Sequence, residues 1–93
     1  MKEKSFTVKN RAGIHCRPSS VIINTIKQDF PFCKFEIDLD GTTHEINGML
    51  ALISLGLAQN TTAVLRVKGD EEDQAIDKIC NLLEFEFDFP QNK

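Results

Sequence analysis

The sequence predicts an α+β fold in which a four-stranded antiparallel sheet carries three helices on one face, in the order β, α, β, β, α, β, α. Four segments alternate apolar and polar residues with the period of a half-buried strand, and three others repeat apolar residues at helical spacing. The two patterns interleave in that order over 93 residues, a length that allows one domain spanning 1–93, with no internal repeat, linker or low-complexity stretch. An apolar fraction of 41% suffices for a modest core at this size.

The first strand rests on Phe6 and Val8, which alternate with Ser5 and Thr7. A break follows at 10–13. Pro18 then sits where a first helical turn tolerates a residue without an amide hydrogen, and Val21, Ile22, Thr25, Ile26 and Phe30 trace one face of a helix over about 16–28. Cys33, Phe35, Ile37 and Leu39 alternate with Lys34, Glu36 and Asp38; beyond Asp40-Gly41, His44 and Ile46 alternate with Thr43 and Glu45. Asp-Gly between two such runs signals a tight hairpin. From Asn47 the period changes, and Met49, Leu50, Leu52, Ile53 and Leu55 fit a short helix capped by Asn47 and closed by Gly56. Ala63, Leu65 and Val67 give a fourth strand, which Gly69 ends. Asp70 and Asp73 are placed to start a last helix, where acids suit the helix dipole, and its buried stripe is Ala75, Ile76, Ile79, Cys80 and Leu83. In the tail, Phe85, Phe87 and Phe89 alternate with Glu84, Glu86 and Asp88, an apolar stripe expected to find cover on the sheet's helix-free face or on a second copy.

Eleven basic residues against 14 acidic ones give a net charge of -3, and no basic arm or patch stands out. Nucleic acid is therefore excluded as the expected partner, since phosphate backbones require clustered Lys and Arg. The longest apolar run, Met49 to Ile53, is far too short to span a bilayer, so we expect a cytoplasmic protein with no direct membrane insertion. Cys16, Cys33 and Cys80 cannot all pair and show no CxxC spacing, which predicts reduced thiols and no metal site. Cys33 and Cys80 fall on apolar stripes as small core residues. His44 reads as a satisfied strand histidine, not a ligand.

Chemistry concentrates in Gly13-Ile14-His15-Cys16-Arg17-Pro18. This spacing puts His15 at the N-cap of the first helix, Arg17 two residues on, and the amides of Cys16 and Arg17 pointing outward. The first amides of a helix lack carbonyl partners and the dipole favours negative charge there, so the position suits an anion. An ordinary imidazole, with a pKa of about 6.5, is largely neutral and nucleophilic near pH 7, which fits a phosphoryl group carried on a ring nitrogen. Local features alone fit equally a surface histidine beside a surface arginine, on a binding module without covalent chemistry.

Gly13-Ile14-His15 followed by Arg17-Pro18 resembles the active-site motif of the HPr family, the histidine-containing phosphocarriers of the bacterial phosphoenolpyruvate:sugar phosphotransferase system. Met49 through Ser54-Leu55-Gly56-Leu57 resembles that family's second helix and the turn after it, and the likeness runs over about 5–83, leaving the acidic, Phe-rich tail 84–93 without counterpart. The resemblance implies an open-faced β-sandwich. It implies that His15 takes a phosphoryl group on Nδ1 from enzyme I charged by phosphoenolpyruvate, and passes it to an enzyme IIA domain. Arg17 and the Cys16 and Arg17 amides would bind the phosphate. Met49, Leu50 and Ile53, ringed by Ser20, Asn24 and Lys27, would dock both partners. A monomeric phosphoryl carrier with no cofactor or metal is implied, not a turnover enzyme in its own right. A nitrogen-type relative using the same histidine for signalling is the alternative. Met49, Leu50 and Leu52 cannot all point inward, and Met49 and Leu50 are expected outside. Two departures stand out: Cys16 replaces the family's usual Ala or Thr, and Gly48 replaces the regulatory serine of many Gram-positive members, removing the hydroxyl that a kinase would modify.

Overall fold

The computed structural model describes residues 1–85 and contains β1 (Lys2–Thr7), α1 (Cys16–Asp29), β2 (Lys34–Leu39), β3 (Thr42–Glu45), α2 (Met49–Ile53), β4 (Thr62–Lys68) and α3 (Glu72–Glu84). The sheet order is β1-β4-β2-β3 with every pairing antiparallel, and the helices cover one face. Period-two patterning explains the core: Phe6, Phe35, Ile37, Ala63, Leu65 and Val67 turn inward from the strands to meet Ile22, Ile23, Leu52, Ala75, Ile76, Ile79 and Leu83 from the helices. The hairpin turn is set by Asp40 (φ 53°) and Gly41 (φ 84°), both left-handed, between the paired Leu39 and Thr42. That is the two-residue turn whose twist suits antiparallel strands.

Some boundaries differ from the sequence reading. The last helix begins at Glu72, not Asp70, because the Glu72 carboxylate reaches back to accept the Gly69 amide hydrogen at 3.2 Å and the N-terminal ammonium at 3.1 Å, leaving Asp70 and Glu71 in the turn. In α1 the buried stripe is Ser19, Ile22, Ile23 and, partly, Ile26, spaced i, i+3, i+4, i+7, which leaves Val21 outside the apolar arc and 38% exposed. Cys80 lies in the core, where burial pushes its thiol up to about 11, whereas Cys33 is half-buried at the core's margin. His44 is half-buried, opposite Ile37 across the β2–β3 ladder.

The helix-free face is charged. Glu3, Arg66 and Glu36 lie side by side across β1, β4 and β2; Arg66 Nε donates to Glu3 at 2.9 Å, and its guanidinium also pairs with Asp38. Val64, paired with Ser5 and Asp38, lies on the same face, and the apolar stripe expected in the tail falls almost wholly outside the described residues. Phe85, which follows α3, is exposed, and Phe87 and Phe89 lie outside the described residues.

Candidate functional site

The site is built from two loops laid against each other. After β1, the Val8 amide donates to the Thr61 carbonyl at 2.8 Å and the Val8 carbonyl accepts from the Asn60 amide at 2.7 Å. Asn10 follows, fully buried although polar, and its Nδ2 donates to the Gly13 carbonyl at 2.8 Å. Gly13 has φ +74°, and a Cβ there would run into the Leu57 carbonyl, so both the backbone conformation and the space require glycine. The Ile14 amide donates to that same Leu57 carbonyl at 2.8 Å, and the Ile14 side chain is buried. Anchored on both sides, the chain delivers His15 to the surface.

His15 is the N-cap of α1, with extended backbone (φ -108°, ψ -158°), half-buried, and its side chain makes no capping bond to the first turn. Its carbonyl accepts the Ser19 amide hydrogen at 3.0 Å, the first bond of the helix. The amides before Ser19 have no helical acceptor, and Pro18 has no amide hydrogen; those of Cys16 and Arg17 therefore form the helix's positive end. Cys16 and Arg17 are exposed, and the first turn contains no acidic residue to oppose an anion. A half-buried imidazole at the N-cap, the two amides after it and an exposed arginine in the first turn thus follow one another at the start of the helix.

Beside it, α2 packs on α1 and splits its apolar residues as expected: Leu52 is fully buried, Ile53 half-buried, Met49 37% exposed and Leu50 78% exposed. On α1, Asn24 and Lys27 are exposed and Ser20 half-buried. Val21, one helical turn from both Arg17 and Asn24, joins this surface; the signal for it was the excess of apolar residues over what one buried arc can hold. The N-cap of α2 is Gly48, not Asn47, since the chain enters the helix one residue later. Gly48 is extended with open space around its Cβ position, so its lack of a hydroxyl is not imposed by packing. Ser54 Oγ donates to the Leu50 carbonyl at 2.6 Å, a structural bond at the helix end. Asn10 was missed in the sequence, where it reads as an ordinary loop residue. Among the described residues no group of three or more His, Cys, Asp or Glu gathers as metal ligands, and no helix is long and apolar enough to cross a membrane.

Residues 2–84 match the family model of the PTS HPr component phosphorylation site. The chain is 32% identical over 84 residues to the phosphocarrier protein HPr of Lysinibacillus sphaericus, covering 89% of this chain and 92% of that one. It is 28% identical over 83 residues to a multiphosphoryl transfer protein of Haemophilus influenzae, covering 88% of this chain but only 17% of that larger protein. The crystal structure of HPr from Thermoanaerobacter tengcongensis superposes with a TM-score of 0.79 at 26% identity, over 89% of this chain and 91% of that one.

Proposed function

The chain belongs to the PTS HPr family, and from that premise we propose that His15 accepts one phosphoryl group from phosphorylated enzyme I on Nδ1 and hands it to an enzyme IIA domain. The observation that carries this reading is the placement of His15 as N-cap of a 14-residue helix whose first turn holds the Cys16 and Arg17 amides and the exposed Arg17. As the ring nitrogen attacks phosphorus, the bond to the donor breaks and a phosphorus–nitrogen bond forms. The negative oxygens then sit against the amides and the guanidinium. A carrier must release what it accepts, so these contacts hold the group moderately, and the exposed first turn lets both partners reach it.

Both partners dock on the same surface in this reading. Met49 and Leu50 offer apolar contact and Arg17 and Lys27 positive charge, which fits partners presenting an apolar patch with acidic neighbours. The protein acts as a cytoplasmic monomer within the phosphotransferase system, a carrier and not a turnover enzyme by itself. Gly48 has no hydroxyl, so control by serine phosphorylation at that residue does not operate here.

Incubation with enzyme I and phosphoenolpyruvate should add one phosphoryl group, acid-labile and alkali-stable as a phosphoramidate is, and a His15→Ala variant should take none. Incorporation that persists in His15→Ala would reject the assignment.

A further inference from the structure

We infer that Asn10 is a positioning residue for the phosphoryl-accepting histidine, acting through the peptide unit between Gly13 and Ile14; the inference rests on the carrier reading of His15. That peptide unit is held at both ends. Its carbonyl accepts from Asn10 Nδ2 at 2.8 Å, and its amide, on Ile14, donates to the Leu57 carbonyl at 2.8 Å. The Gly13 amide closes the same loop onto the Asn10 carbonyl at 3.0 Å. The next peptide unit leads directly to His15, whose extended backbone starts the helix. The plane fixed by Asn10 thereby sets the direction in which the chain enters α1, and with it where the imidazole stands relative to the Cys16 and Arg17 amides.

The chemistry calls for asparagine in particular. A fully buried carboxamide must find partners, so its rotamer is locked by the bonds it makes. Aspartate, of the same shape, would present an acceptor to the Gly13 carbonyl and repel it. Serine keeps a donor on a shorter arm. Asn10 itself stands on a fixed base, two residues beyond Val8, which is bonded to Thr61 and Asn60. Because transfer between two proteins needs the nucleophile in line with the donor phosphorus, a displacement of about 1 Å at His15 can cost on the order of 100-fold in rate.

The test compares Asn10→Asp and Asn10→Ser with wild type and with Ile79→Val, a core variant that lowers stability away from the site. Initial rates of phosphorylation by enzyme I and phosphoenolpyruvate are measured per folded molecule, well below each unfolding temperature. The amide chemical shifts of Cys16 and Arg17 are recorded alongside. Asn10→Asp should be about 10- to 100-fold slower per folded molecule, Asn10→Ser less impaired, and both should shift the two amides; Ile79→Val should do neither. Should Asn10→Asp fail to fold, Asn10→Ser decides. Asn10 variants that lose stability yet keep the wild-type rate and amide shifts overturn the inference. A wild-type protein that takes no phosphoryl group on His15 defeats the carrier reading instead, and this inference falls with it.

Discussion

At His15 and Arg17 the proposed chemistry divides between a group that makes the bond and one that acts on charge. In the carrier reading proposed above, the imidazole carries the phosphoryl group, while the guanidinium meets negative charge that is present only during transfer and in the phosphorylated state. Arg17 is exposed and sits in the first turn of a helix whose buried stripe lies elsewhere, so its removal should leave the fold alone. Arg17→Ala is therefore expected to slow transfer both from enzyme I and to an enzyme IIA domain by about 100-fold, with the circular dichroism spectrum and Tm unchanged. Arg17→Lys should recover part of the loss, because a point charge does not reproduce the planar fork of donors. Wild-type transfer rates in both variants would remove Arg17 from the site.

Among the elements, the five-residue α2 divides its apolar residues between the core and the surface, and the proposed docking role falls to the exposed ones. Its apolar residues outnumber what one face can bury, so Leu52 fills the core while Leu50 stands in solvent. Leu52→Ala should cost about 2–5 kcal/mol in chemical denaturation, the usual penalty for a buried cavity of that size. Leu50→Ala should leave the denaturation midpoint in place and raise the KM for enzyme I about tenfold, as loss of an interface anchor does. Equal effects of the two substitutions on stability would refute this division. The same helix shows what was legible in the sequence. Alternation and helical spacing identified all seven elements in order, because burial on one face leaves a periodic record, and Gly13 to Pro18 marked the helix start. Side-chain bonds that cross the chain leave no such record. Asn10 bonding to Gly13 looks like any loop residue, Glu72 reaching back to Gly69 moves a helix start by two residues, and Val21 was assigned to a buried face that three isoleucines already fill.

Over the described residues, charges tie β1 to α3. The N-terminal ammonium, Lys2 and Lys4 on one side meet Glu72, Asp73 and Asp77 of α3 at 3.1 to 3.2 Å, while across the opposite face Arg66 joins Glu3 and Asp38. The exposed pairs among these each contribute little and are screened by salt, so the collective effect of the charges shows best in the pH dependence of stability. Hydrogen bonds from Arg66 and then Thr43 hold the Asp38 carboxyl below its ordinary value; the Gly69 amide, followed by the N-terminal ammonium, does the same for Glu72. In the unfolded chain both carboxyls return to about 4. A carboxyl whose folded value is depressed binds its proton more readily when unfolded, so its contribution is complete above about pH 5 and is lost as pH falls through 4 toward the depressed folded values. Tm should therefore be flat near neutrality and drop on the acid side. Asp38→Asn and Glu72→Gln remove two of the protons taken up on unfolding, so the double variant should lie slightly below wild type at pH 7 and decline less steeply below pH 4. Calorimetric scans from pH 7 to pH 2 at low salt make the comparison, and an acid limb parallel to that of wild type would show that neither carboxyl carries the linkage.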